Sequence, residues 1–137
     1  MRIDMSSPRA AAYNAIFEYL RENKAISVHT AIKIARGFGA SVKMAKDILR
    51  QLEEIDKVVV YAGCDIYIYL PFKEEVDRIK ASSSEEERAK AEEMIYKVIE
   101  AEACKSGVSR SRCSTAIGIL SRERVREVIS RCAYRDY

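Results

Sequence analysis

The chain has 137 residues, 48% hydrophobic and 33% charged, a balance that suits a globular protein of one ordinary domain or two very small ones and excludes a disordered chain. The longest uninterrupted apolar run, about Val58–Cys64, falls far short of a membrane span, and Met1-Arg2-Ile3-Asp4 lacks a signal-peptide core. A cytoplasmic protein with no membrane partner is therefore expected. The net charge of +3 is arranged in blocks: +2 over residues 1–72, −3 over residues 73–106 and +4 over residues 107–137, where all seven cations are Arg. Blocks of this kind fit local nucleic-acid contacts better than a uniformly basic coat.

The four cysteines, Cys64, Cys104, Cys113 and Cys132, include no C-x-x-C pair, and His29 is the only histidine. That spacing argues against a zinc site, and no cofactor or metal is expected. Gln occurs once and Asn twice, while Ile, Glu and Arg are plentiful, a bias that resembles hyperthermophile, and by extension archaeal, proteins. Small buried thiols are expected for the three late cysteines. A disulfide among them is the alternative that such a source opens.

In chain order, Ser7-Pro8 starts a first helix, with Ser7 as cap and Pro8 losing only an N–H that had no partner. Tyr13, Ile16, Phe17 and Leu20 recur at helical spacing and form its inward face, and Arg21–Lys24 ends it. Ser27 caps a short second helix over Val28–Arg36, with Ile26 as a staple and Ala31, Ile32 and Ala35 inward, before Gly37 and Gly39 break it. Ser41 caps a third helix, about Val42–Ile55. Ala45, Ile48, Leu49, Leu52 and Ile55 line one face of it and Lys43, Lys46, Asp47 and Arg50 the other.

Lys57–Tyr61 and Ile66–Leu70 are rich in β-branched and aromatic residues, and Ala62–Asp65 with Gly63 is the turn of a hairpin closed by Pro71. Lys73–Ser83 reads as a linker or a short polar helix. Ser84 and Glu87 then have capping-box spacing at the start of a helix running to about Cys104, with Ala91, Met94, Ile95, Val98 and Ile99 as its apolar stripe. Gly107 interrupts it, and Ser109 and Ser121 cap two further helices, the last carrying Val125, Val128, Ile129 and Cys132 on one side.

Between the second and third helices, Ala35 allows close helix approach, and Gly39, four residues later, suits a left-handed turn that a Cβ resists. Ala45 and Ile48 follow where the next helix must bury apolar groups. Over about residues 8–71 the chain resembles the winged helix-turn-helix superfamily of prokaryotic and archaeal transcriptional regulators. The resemblance implies a mainly α fold with one β-hairpin and a recognition helix at Val42–Ile55. It also implies contacts to double-stranded DNA from Ser41, Lys43, Met44, Lys46, Asp47 and Arg50, joined by Lys33 and Arg36. Lys43 and Lys46 lie in the first half of that helix and Glu53, Glu54 and Asp56 at its end, the reverse of what the helix dipole favours. A facing phosphate backbone would account for the inversion. The hairpin departs from the family pattern, because its tip, Gly63-Cys64-Asp65, carries no cation. That departure opens the alternative that the wing is a protein contact rather than a DNA contact.

A weaker signal follows: Ala103, Gly107, Val108 and Ser109 repeat the spacing of Ala35, Gly39, Ala40 and Ser41 after 68 residues, with Cys113 and Ala116 at the apolar positions. It reads as a decayed second helix-turn-helix with Arg110 and Arg112 exposed, or as coincidence within a helical dimerisation region. The expected organisation is a winged helix-turn-helix over 1–72, a linker over 73–83, and helices over 84–137 that dimerise the protein or form that second motif. The rival to the dimer is a monomer in which these helices fold back on the first helix and the hairpin as one compact domain. No nucleophile elbow, P-loop or paired acid–base constellation is present, so neither an enzyme nor a small-molecule substrate is expected. The expected function is DNA binding in transcriptional regulation. The alternative is a protein-interaction module in a transcription or replication assembly.

Overall fold

The structure is a computed structural model that describes residues 7–63, 65–82 and 84–106, together with Glu127. Helix α1, Pro8–Asn23, starts where Ser7 Oγ accepts the Ala10 N–H, and it ends at Lys24, which takes a left-handed conformation (φ 69°). A three-residue strand β1, Ala25–Ser27, leads directly into α2, Val28–Gly37. Ser27 is the N-cap of α2, and its Oγ accepts the Thr30 N–H at 2.9 Å. Helix α3, Val42–Arg50, is capped in the same way by Ser41 onto the Met44 N–H at 3.1 Å. It runs into a π-helical turn, Gln51–Ile55, in which the Asp56 N–H donates to the Gln51 carbonyl at 2.9 Å. Strands β2, Val59–Gly63, and β3, Ile66–Tyr69, form a hairpin with a bulge between Tyr61 and Gly63, and helices α4, Leu70–Ser82, and α5, Glu85–Ser106, follow.

The three strands form one antiparallel sheet in the order β1-β3-β2. Alternation along each strand divides its side chains between two cores. Ile26 and Val59 face α1, α2 and α3, joining Ala12, Ile16, Leu20, Ala31, Ala35, Ala45, Ile48, Leu49 and Leu52. Tyr67 and Tyr69 pack against the same core, and the Tyr69 ring meets Phe17 edge-on at 6.3 Å. Ala25, Ala62, Ile66 and Ile68 face the other way and are covered by Val76 of α4 and by Ala91, Ile95, Tyr96, Ile99 and Ala103 of α5. The sheet is thus the middle layer between two helical layers, and this double burial explains why β3 reads as the uninterrupted apolar run Ile66-Tyr67-Ile68-Tyr69.

Several expectations change here. Residues 73–83, read as a linker or a short polar helix, belong almost wholly to α4, which is 13 residues long and packs on α5. The stripe Ala91, Ile95 and Ile99, expected to serve a dimer, is buried against the chain's own sheet, with Val98 packed beside it. The sheet has two apolar faces, and a second helical layer within the chain covers the outer one. Met94 leaves the stripe and is 42% exposed, because the buried face of α5 is centred on Ile95, Ile99 and Glu102. Ile55 was expected inward but is 74% exposed. The π turn inserts one residue into the helical phase, so Asp56 takes the inward place and accepts the Tyr13 hydroxyl at 2.5 Å. Cys104, expected as a small buried thiol, is exposed and disulfide-bonded. Cys64, Gly107, the helices expected after Ser109 and Ser121, and the stripe Val125, Val128, Ile129 and Cys132 lie outside the described residues. Among the described residues no helix is long and apolar enough to cross a membrane.

Candidate nucleic-acid interface

The joint between α2 and α3 is built as its sequence requires. The Ala40 N–H donates to the Ala35 carbonyl at 2.9 Å and the Gly39 N–H to the Arg36 carbonyl at 3.0 Å, the paired bonds of a Schellman turn. Gly39 supplies the left-handed residue (φ +81°). Ala35 and Ala40 are both buried across the turn, so the two helices close on one another through methyl groups.

That joint holds α3 with Ala45, Ile48, Leu49 and Leu52 inward. Residues at i, i+3, i+4 and i+7 fill one side of a helix, so Lys43, Lys46, Asp47 and Arg50 take the other. Lys43, Lys46 and Arg50 are exposed or partly exposed, as is Asp47. None of the three cations makes an ion pair or hydrogen bond with a described residue. Ser41 is exposed at the start of the same helix, its hydroxyl engaged as cap, and Met44 is 38% exposed beside it. The structure therefore gathers six of the expected contact residues, Ser41, Lys43, Met44, Lys46, Asp47 and Arg50, on the open side of one short helix. Arg36 is exposed in the last turn of α2, next to the joint. Lys33 is set apart. It borders a shallow cleft between α1 and α2 whose other wall includes Glu18 and Glu22, so acidic groups share its surroundings.

The hairpin contributes no cation between Val59 and Tyr69. Its tyrosines are structural: Tyr61 and Tyr67 face each other across the strands at 5.1 Å, and the Tyr61 hydroxyl accepts the Asp65 N–H at 3.0 Å, folding the tip onto the hairpin. Burial, with smaller contributions from Glu53, Tyr61 and Asp65, pushes the Tyr67 phenol up to about 12 against an opposing pull from Arg50. Arg50 thus sits within electrostatic reach of the hairpin.

Two residues escaped the sequence reading. Phe38 is 48% exposed in the α2–α3 turn. The signal was present in Gly37-Phe38-Gly39, since glycines on both sides leave an aromatic ring with no neighbouring side chain to shelter it. Glu102 is 2% exposed, and its carboxylate accepts from the Tyr19 hydroxyl, the Ser27 N–H and the Thr30 hydroxyl at 2.5, 2.9 and 2.6 Å. Its spacing of seven from Ile95 and three from Ile99 placed it on the buried face, where a glutamate needs partners. Arg110 and Arg112, the second expected contact, lie outside the described residues, as does the repeat from Gly107 onward. No family model, no curated protein and no solved structure matches this chain.

Proposed function

We propose that residues 8–71 form a winged helix-turn-helix that binds double-stranded DNA, as part of a transcriptional regulator that lays α3 in the major groove. The reading rests on one observation above all: Lys43, Lys46 and Arg50 stand open to solvent and without ion-pair partners among the described residues, opposite the buried stripe of the same helix. Two of these cations lie in the first half of α3, where the dipole disfavours them, and a polyanion would compensate for that cost. The helix–strand–helix–helix–hairpin order and the strand order β1-β3-β2 suit the same fold. Phosphate contacts fall to Lys43, Lys46, Arg50 and Arg36. The hairpin, which carries no cation, stays off the backbone, so the grip comes from the α2–α3 face alone.

A second reading, a protein-docking module, has its own support in Phe38 and Met44, two large apolar side chains exposed around the α2–α3 turn. A salt titration of binding to random duplex separates the two. DNA binding through charges gives a log–log slope of about −0.9 per phosphate contact. Absence of any binding at low salt would leave the docking reading.

A further inference from the structure

Asp47 is the anomaly of the α3 ridge. It lies four residues after Lys43 and three before Arg50, on the side opposite Ala45, Ile48, Leu49 and Leu52. At those spacings a carboxylate can pair with either cation. Its carboxylate nevertheless makes no ion pair or hydrogen bond with any described residue, Lys43 and Arg50 included. A lone negative charge at the centre of a cationic ridge opposes approach to a polyanion, and it neither caps nor braces the described fold. Its position suits a partner that presents a hydrogen-bond donor at the middle of the contact, between the phosphates met by the flanking cations.

Taking α3 as the helix that faces DNA, a premise that rests on the reading above, we infer that Asp47 is a specificity-determining residue that selects a cytosine in the major groove. In that groove guanine offers only acceptors, and thymine an acceptor and a methyl group. Adenine sets an acceptor nitrogen beside its amino group. Cytosine presents its N4 amino donor without an adjoining acceptor on the same base, so it is the base edge a carboxylate accepts from with least repulsion. Lys43 and Arg50 hold the helix on the phosphates and thereby place Asp47 over the base edges.

The test is selection of binding sites from a random-sequence duplex pool with the full chain, run in parallel for the wild type, Asp47→Ala, Asp47→Asn and the triple variant Lys43→Ala/Lys46→Ala/Arg50→Ala. Because the Asp47 side chain bonds to nothing described, both single variants are expected to melt with the wild type. The wild type should enrich a site with one cytosine whose replacement weakens binding roughly ten- to a hundredfold. Asp47→Ala should lose that preference while binding random duplex as tightly as the wild type or tighter. Asp47→Asn should move the preference to adenine, whose N6 and N7 match an amide. A wild type and Asp47→Ala that enrich the same site, or a wild type that binds duplex without sequence preference, would overturn the role of Asp47 and leave DNA binding by α3 standing. A wild type that retains no more duplex than the triple variant would overturn the DNA reading itself, and Asp47's role with it.

Discussion

The carboxylate of Glu102, near the end of α5, accepts the backbone N–H of Ser27 at 2.9 Å, although 75 residues separate the two in the chain. Ser27 is the last residue of β1 and the N-cap of α2, so α5 is bonded to the point where the α2–α3 unit begins. The same carboxylate accepts the hydroxyls of Thr30 and Tyr19, and Lys105, one turn on, donates to Asn23 Oδ1 at 3.0 Å. Both Ser27 and Glu102 are buried, and the negative charge lies at the N-terminal end of α2, where the helix dipole stabilises it.

Glu102→Ala should accordingly destabilise the whole chain. It strands the Ser27 N–H and two hydroxyls in a site closed to water, at a cost of about 2–4 kcal/mol. Glu102→Gln keeps the shape and one acceptor oxygen and should cost less than the alanine. Urea denaturation followed by circular dichroism measures both, and equal midpoints for wild type and Glu102→Ala would contradict the role given to this carboxylate.

Replacing Lys43, Lys46 and Arg50 together by alanine should abolish duplex binding while the melting temperature stays near that of the parent, because none of the three pairs with a described residue. Partial replacements should flatten the salt dependence by about 0.9 in log–log slope for each phosphate left without its cation. A gel shift over a salt series reads this directly. Undiminished binding by the triple variant would take α3 out of the DNA interface.

Gly37 and Gly39 offer a matched pair. A Cβ at either meets nothing within 4 Å, but only Gly39 is left-handed, at φ +81°. Gly39→Ala should therefore cost about 1–2 kcal/mol through the backbone alone, and Gly39→Val more. Gly37→Ala, in the last turn of α2, should be neutral or stabilise by up to about 1 kcal/mol. In paired thermal melts Gly39→Ala should melt below the wild type and Gly37→Ala at or above it. A Gly39→Ala that melts with Gly37→Ala would remove the left-handed turn from Gly39.

Stability should fall at alkaline pH. Burial first, and then the bond to Asp56, push the Tyr13 phenol from its ordinary value of 10 up to about 12, and burial first raises Tyr67 to about 12 as well. Tyr19 is raised in the same way by burial and by Glu102. The folded state thus keeps these protons where the unfolded chain has released them. Their contribution is complete below pH 10 and is lost as pH climbs from about 10 through about 12. Melting temperatures across this range should decline, and Tyr13→Phe with Tyr67→Phe should lessen the decline. A flat profile in the wild type would remove the raised values.

Much of the first half was legible because its signals are local. Ser7-Pro8, Ser27 and Ser41 cap the helices they were expected to cap, and Gly39 takes the expected turn, since capping and backbone handedness depend on a few adjacent residues. The polar side of α3 was equally readable, because helical spacing alone puts Lys43, Lys46, Asp47 and Arg50 opposite Ala45 and Ile48. Tertiary structure decided the rest. Whether Ala91, Ile95 and Ile99 would meet a second chain or this one depended on whether the outer face of the sheet was already covered, and periodicity cannot report that. Ile55 was turned outward by a π turn that no residue type announces. Glu102 could be placed on a buried face from its spacing, but its partners come from α1, β1 and α2. Only the folding of α5 back across the sheet brings those donors within reach of one carboxylate.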